Sequence, residues 1–262
     1  MQLMTLKEIR QVQLAIIDEV HRVCAEHGLR YFLEGGTLLG AVRHEGFIPW
    51  DDDVDLSMLR EDYDVFVANF RTWRSDDRYE ISSPQLGGCI HPFTKLFDTQ
   101  THVKETYLRD EYSQGVWVDL FPYDKLDPDN TSAMKLIAKL CRRRYLAVSD
   151  PKEGQSAAIR AAKRIVCPIV RRTTNVGELV KSIDDLCRTQ CQKSTDEISI
   201  LSYEAPNPFH FQASCYNESM LVPFEDRRYY APIGYEDMLT RLYGNWRVPI
   251  PQEPHSLEAY WL

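Results

Sequence analysis

The stretch Tyr31–Met58, YFLEGGTLLGAVRHEGFIPWDDDVDLSM, joins a glycine turn to clustered carboxylates. Tyr31, Phe32 and Leu33 predict a short buried strand, and Gly35-Gly36 breaks it where Thr37–Val42 begins a helical pattern. A helix starting in such a turn leaves backbone N–H groups without partners, a geometry that favours phosphate oxygens. Gly46 and Pro49 mark a loop, and a second strand is predicted from Asp53 to Met58. Its period of two puts Asp53 and Asp55 on one face and Val54 and Leu56 on the other. Two carboxylates side by side repel, and one pKa rises, unless a cation lies between them. Magnesium or manganese bridging them to substrate phosphates removes the conflict. The stretch therefore reads as metal-assisted phosphate chemistry.

Other readings of the same residues fit less well. A solvated acidic loop does not account for the strand alternation that follows Asp51-Asp52-Asp53. In an EF-hand, Asp51, Asp53, Asp55 and Asp62 would take loop positions one, three, five and twelve. Leu56 then stands where the sharp turn needs glycine, and Pro49 where the entering helix belongs. Gly35, Gly36 and Gly40 lack the spacing of a dinucleotide-binding loop.

The string EGGTLLGAVRHEGFIPWDDDVD resembles the signature of the LicD family, phosphotransferases that move phosphocholine and related groups from CDP-linked donors onto glycans, with fukutin-type proteins as distant relatives. The family in turn resembles the nucleotidyltransferase superfamily, whose pattern is a glycine turn followed by a D-x-D strand. Thr37 stands where that superfamily commonly has serine, and Gly36 to Asp53 is a longer separation than usual. LicD sequences share both departures. The resemblance is specific around Gly35–Asp55, looser at FTKLFDTQT near Lys95, at Asp119 and at YEDML…YG…P near the C-terminus, and absent from the middle of the chain.

A chain of 262 residues with 44% hydrophobic content has the composition of a soluble globule with one good core. No apolar run reaches membrane-spanning length, and charge interrupts the N-terminal segment that a signal peptide would make apolar, so a cytoplasmic protein is expected. Seven scattered cysteines suit free thiols. Cys187 and Cys191 are helix neighbours without a nearby histidine, better read as buried helix positions than as half a zinc site. The net charge of −8 argues against nucleic-acid binding. Yet Met134–Arg172 holds eleven basic residues against two acidic, a surplus of nine that leaves −17 for the rest. Its arginines, Arg142, Arg143, Arg144, Arg171 and Arg172 among them, read as a solvated face or as a docking face for an anionic glycan or for the inner face of a membrane.

Around the central stretch, Thr5–His27 is predicted as an amphipathic helix stopped by Gly28, and Glu61–Phe70 as a second, with Tyr63, Phe66 and Val67 inward. Tyr79–Ser82, Phe93–Phe97 and Met220–Phe224 read as strands. In Val116–Phe121, Val116, Val118 and Leu120 face the core with Trp117, Asp119 and Phe121 opposite. A charge in that apolar run needs a partner, which makes Asp119 the third carboxylate of the site, with Asp98 the weaker candidate. Helices are predicted at Ser132–Ala147, Gln155–Arg172 and Val176–Lys193, and a short one at Tyr235–Tyr243 before Gly244.

Together with the resemblance, these readings imply one catalytic domain over 1–262, of α/β (α+β) class. It would be a nucleotidyltransferase-like mixed β-sheet flanked by helices, with an α-helical insertion at 128–197. The implied reaction is attack by a hydroxyl of a cell-surface glycan, of lipopolysaccharide or teichoic acid type and free or lipid-linked, on the phosphorus next to choline in CDP-choline, or in a related CDP-linked donor, with CMP leaving. Asp53, Asp55 and Asp119 would hold Mg2+ or Mn2+. Gly35, Gly36 and Thr37 would cradle phosphate, and Arg43 and Lys95 would counter its charge. A choline headgroup would rest on Trp50, Trp117 or Tyr229. The rivals are a nucleotidyltransferase using a nucleoside triphosphate, a metal-dependent D-x-D glycosyltransferase, disfavoured by the upstream glycine turn, and a binding protein without activity, disfavoured by the intact aspartates.

Overall fold

Thr5 starts the first long helix. Its hydroxyl accepts from the Glu8 N–H at 3.3 Å while the Glu8 carboxylate takes the Thr5 N–H at 2.8 Å, a reciprocal cap. Helix α1 (Leu6–His27) follows a two-residue strand, β1 (Gln2–Leu3), and ends at Gly28 in the left-handed region. It buries Ile9, Val12, Ile16, Val20 and Val23 against the sheet, as their spacing predicts. The structure is a computed structural model that describes residues 1–262 except 106, 128, 153–155, 191–194, 205–208, 251 and 253–256.

The central sheet runs β2 (Phe32–Leu33), β3 (Asp55–Leu59), β7 (Trp117–Lys125), β5 (Thr94–Asp98), β4 (Tyr79–Ser82). The β3–β7 pair is parallel and the other neighbours are antiparallel, so the protein is of α/β class with a mixed sheet. Strand β8 (Glu197–Ser199) joins the far end of β7, and β9 (Phe211–Gln212) joins β8, making seven strands among the described residues. Helices α2 (Gly35–His44) and α3 (Arg60–Trp73) flank β3, and α3 buries Tyr63, Phe66 and Val67 as expected.

Two expectations are corrected here. The strand predicted from Asp53 begins at Asp55, because Arg10 and Gln13 of α1 take the Asp51 and Asp52 carbonyls at 2.7 Å each, drawing those residues out of a ladder. Trp117 and Phe121, placed opposite the core, are buried too, since the sheet is covered on both faces. Phe121 packs with Phe32, Phe93 and Tyr123 in a second cluster.

The sequence reading missed the small sheet β1–β12–β6, in which β6 (Thr101–Lys104) and β12 (Glu258–Trp261) tie the two chain ends together, and the second strand of the hairpin β10 (Ser219–Phe224)–β11 (Arg227–Pro232). Between β7 and β8 stand α4 (Thr131–Val148), α5 (Ala157–Arg172) and α6 (Val176–Gln190). The predicted helix limits Gln155 and Lys193, and Pro128 at the start of the insertion, lie outside the described residues. After a turn of helix, α7 (Leu201–Glu204), the chain ends its helices with α8 (Tyr235–Tyr243) before Gly244. Cys24, Cys89, Cys141, Cys167, Cys187 and Cys215 are free thiols. Cys187 is buried where α6 meets α4, while Cys191 lies outside the described residues.

Candidate active site

Strand register sets the site. Asp55 on β3 stands directly beside Asp119 on β7, and Asp119 beside Lys95 on β5, so three adjacent strands present a carboxylate, a carboxylate and an ammonium in one row. Glu34 caps the start of α2, its N–H donating to the Asp55 carbonyl at 3.0 Å. The Thr37 hydroxyl accepts the Asp55 N–H at 2.9 Å. Thr37, expected to cradle phosphate, is buried and holds the Asp55 backbone through this contact, its own O–H remaining a donor.

The glycine turn is there for close approach. A Cβ on Gly35, whose φ is +52°, would stand 3.4 Å from Asp55 Oδ2 and 3.8 Å from the Tyr243 hydroxyl, and one on Gly36 would stand 3.0 Å from Asp51 Oδ2. The turn lets the carboxylates close onto the helix start. They line a cleft of about 650 Å3 together with Gly36, Arg43, Trp50, Tyr243, Asn245 and Trp246. Arg43 reaches it from α2, with Nη1 donating to the Trp246 carbonyl at 2.9 Å.

Oxygens of Asp51, Asp52 and Asp53 lie within 4.8 Å of one another. Asp55 is pushed well above the ordinary aspartate range by burial first, then by Asp53, Asp119, Glu34 and Asp51. Asp51 is raised to about 7 by burial and by Asp53 and Asp52, against the pull of Arg10. Asp119 is raised to about 6 by burial, with Glu105 and Asp53 adding to it and Lys95 opposing. So much negative charge around one cleft fits a divalent cation, and an all-carboxylate donor set suits magnesium or manganese.

Not every expected residue faces that cleft. Lys95, expected to counter donor phosphate, is 2% exposed, with Nζ 3.3 Å from Asp119 Oδ1 and 3.7 Å from the Trp117 ring centroid, so its charge goes to Asp119. Trp117 is thereby removed from the choline candidates. Tyr229 is removed as well, being buried with its hydroxyl donating to Asp18 at 2.7 Å, and Trp50 remains. Asp98, the weaker candidate, is bound by Arg78 and does not line this cleft.

Sequence reasoning gave no role to Asp51, Glu34 or Tyr243. The alternation Asp51-x-Asp53-x-Asp55 could have signalled Asp51. Glu34, between an apolar run and two glycines, carried a weaker signal. It is buried, with the Tyr123 and Tyr216 hydroxyls donating to it at 3.2 Å each and burial raising its pKa. Tyr243 and Trp246 come from the far end of the chain; Tyr243 stands in the YG of the C-terminal resemblance, which assigned it no role, and Trp246 carried no signal.

Comparison with known proteins agrees with this geometry. Residues 28–137 match the profile described as LicD/FKTN/FKRP, nucleotidyltransferase domain. The lipopolysaccharide cholinephosphotransferase LicD of Haemophilus influenzae is 30% identical over a 272-residue alignment covering all of both chains. The ribitol 5-phosphate transferase FKRP of Homo sapiens is 36% identical over 98 residues, 37% of this chain and 17% of that one. An uncharacterized protein, RP689, of Rickettsia prowazekii is 45% identical over 47 residues, 18% of each chain. With the glycine turn, the carboxylate row and full-length similarity in agreement, the chain belongs to the LicD family.

Proposed function

We propose that this chain is a phosphotransferase of glycan modification, moving a substituted phosphate, phosphocholine first among them, from a CDP-linked donor to a hydroxyl of a cell-surface glycan. The observation that carries the reading is Asp51, Asp53 and Asp55 lining one cleft where Asp51 and Asp55 close on a glycine turn, with the relatives' names supplying the substrate class. The donor's pyrophosphate lies against the first turn of α2, where Gly35 and Gly36 present backbone N–H groups and Arg43 adds a fixed cationic fork. Asp51, Asp53 and Asp55, with Asp119 completing the set, would hold magnesium or manganese, which when bound screens phosphate charge at the attacking and leaving oxygens. Thr37 and Glu34 keep Asp55 in place through its backbone, and Lys95 keeps Asp119 oriented. The acceptor oxygen bonds to the phosphorus next to the alcohol, CMP leaves with the electrons of the broken P–O bond, and the acceptor proton goes to a site carboxylate. Trp50 offers an aromatic face to a quaternary ammonium at the cleft.

A donor screen with CDP-choline, CDP-ribitol, CDP-glycerol and nucleoside triphosphates tests this, read by CMP or pyrophosphate release in the presence of glycan. CMP from one CDP-linked donor is expected, and pyrophosphate from a triphosphate would overturn the reading. Asp53→Asn should keep the circular dichroism of the wild type and lose at least about a hundredfold in turnover, and a chelator should reproduce the loss. A folded Asp53→Asn protein working at the wild-type rate would end this mechanism.

A further inference from the structure

Helix α5 is amphipathic, and it is mounted the wrong way round for a water-soluble protein. The side it buries carries Lys163 and Cys167. Lys163 Nζ donates to the Tyr145 hydroxyl of α4 at 2.9 Å and lies 4.8 Å from that ring's centroid, and Arg171 Nε donates to the Ala147 carbonyl at 3.3 Å. Apolar side chains of α5 point to solvent: Ile165 is 68% exposed, Ile169 60%, Ile159 44% and Val166 39%. At 3.6 residues per turn these four fall within an arc of about 120°. A helix that packs Lys163 and Arg171 on the protein and offers its isoleucines outward is built for a medium other than water.

The surrounding charge selects the medium. Helices α4 and α5 together contain ten basic residues and no acidic one. Arg144 and Arg143 are engaged within the protein, Arg144 Nε with the Ile90 carbonyl at 2.6 Å and Arg143 Nη2 with the Thr173 carbonyl at 2.6 Å. Arg142, Arg164 and Arg172 remain exposed. A glycan alone offers anions but no hydrocarbon for the isoleucines, and a second copy of this chain would set one basic surface against another. An anionic bilayer satisfies both requirements.

We propose that α5 is an interfacial helix, lying in the headgroup–acyl boundary of an anionic membrane with Ile159, Ile165, Val166 and Ile169 inserted and the exposed arginines on lipid phosphates. No helix among the described residues is long and apolar enough to cross a membrane, so the attachment is to one leaflet. It transmits position: α4 is tied to the segment before β5 through Arg144, and α6 to α3 through Arg60 and Asp184 at 2.7 Å. The proposal does not depend on which donor the cleft takes.

The test is co-sedimentation of the full chain with vesicles of phosphatidylcholine alone and of phosphatidylcholine with one quarter phosphatidylglycerol, at low and high salt. Binding to the anionic vesicles that fades as salt rises is expected. The double variant Ile165→Ser, Ile169→Ser should bind at least about tenfold less while keeping the wild-type melting temperature, because both side chains are already in water. Arg164→Glu with Arg172→Glu should weaken anionic binding and flatten its salt dependence. Absence of wild-type binding, or binding unchanged by the serine pair, would overturn the proposal. So would a wild-type dimer in sedimentation velocity that the serine pair dissolves, or capture of soluble anionic glycan in place of vesicles.

Discussion

Asp51, Asp55 and Asp119 hold protons at pH values where a solvated aspartate has none, because burial and mutual repulsion penalise their charged forms. Burial and neighbouring charge push Asp51 up to about 7, and burial pushes Asp119 up to about 6, from 3.8 for a free aspartate. With the folded values above the unfolded one, the metal-free folded chain carries more protons than the unfolded chain between these limits. These groups therefore lower its stability as pH rises from about 4 to about 7. His91 works in the other direction, since burial, Lys95 and Arg144 hold its pKa well below the histidine norm, so its contribution rises with pH. The comparison that isolates the aspartate effect is wild type against Asp51→Asn, melted in chelator from about pH 5 to about pH 8. The variant should gain on the wild type as pH rises, and magnesium should raise the wild-type melting temperature more at the upper end. Parallel pH profiles for the two proteins would contradict the charge assignment.

At the scale of elements, α2 and the loop that follows it meet backbone to backbone. A Cβ on Gly40 would stand 2.5 Å from the Gly46 carbonyl oxygen and 3.3 Å from the Ile48 nitrogen. No flexible side chain can yield there, so Gly40→Ala must push residues 46–48 outward, and with them the carbonyls that Arg10 grips at Ile48 and Asp51. A loss of about 1–3 kcal/mol in urea unfolding is expected, together with weaker magnesium stabilisation. An alanine variant with unchanged unfolding and unchanged magnesium response would show that the contact carries nothing. The elements themselves were largely legible. Thr5 and Glu8 announce the start of α1, its apolar spacing announces the buried face, and the alternation at Val116–Leu120 singles out Asp119. The strands β6, β11 and β12 were not legible, because short segments gain strand character from their partners more than from their own residues.

Across the whole molecule, one guanidinium joins three layers. Arg60 of α3 is buried, with Nε and Nη2 donating to the two Asp124 oxygens on β7 at 2.6 and 2.8 Å and Nη1 to Asp184 on α6 at 2.7 Å. Replacing it with leucine would take the guanidinium from two buried carboxylates, of which Asp184 keeps Arg188 Nε at 2.9 Å. Arg60→Leu should cost about 3–5 kcal/mol, seen as an earlier urea midpoint. Arg60→Lys should recover only part of it, since a single ammonium cannot span both carboxylates in that geometry. A leucine variant as stable as the wild type would mean that apolar packing and the Arg188–Asp64 pair hold the helical layer without Arg60.

By itself the sequence determined which residues were available and how they alternate along each segment. Gly35-Gly36, Asp53, Asp55 and Asp119 could be singled out because a glycine pair, a two-residue period and a charge in an apolar run are local facts. The tertiary structure alone decided what each of them meets. Register across β3, β7 and β5 set Asp119 between Asp55 and Lys95, so that Lys95 neutralises a carboxylate where a phosphate was expected. Tyr243 was brought to Gly35 from the other end of the chain. The period of α5 shows an apolar face and a basic face but not which of them looks outward, because periodicity is a property of one helix and orientation depends on what that helix packs against.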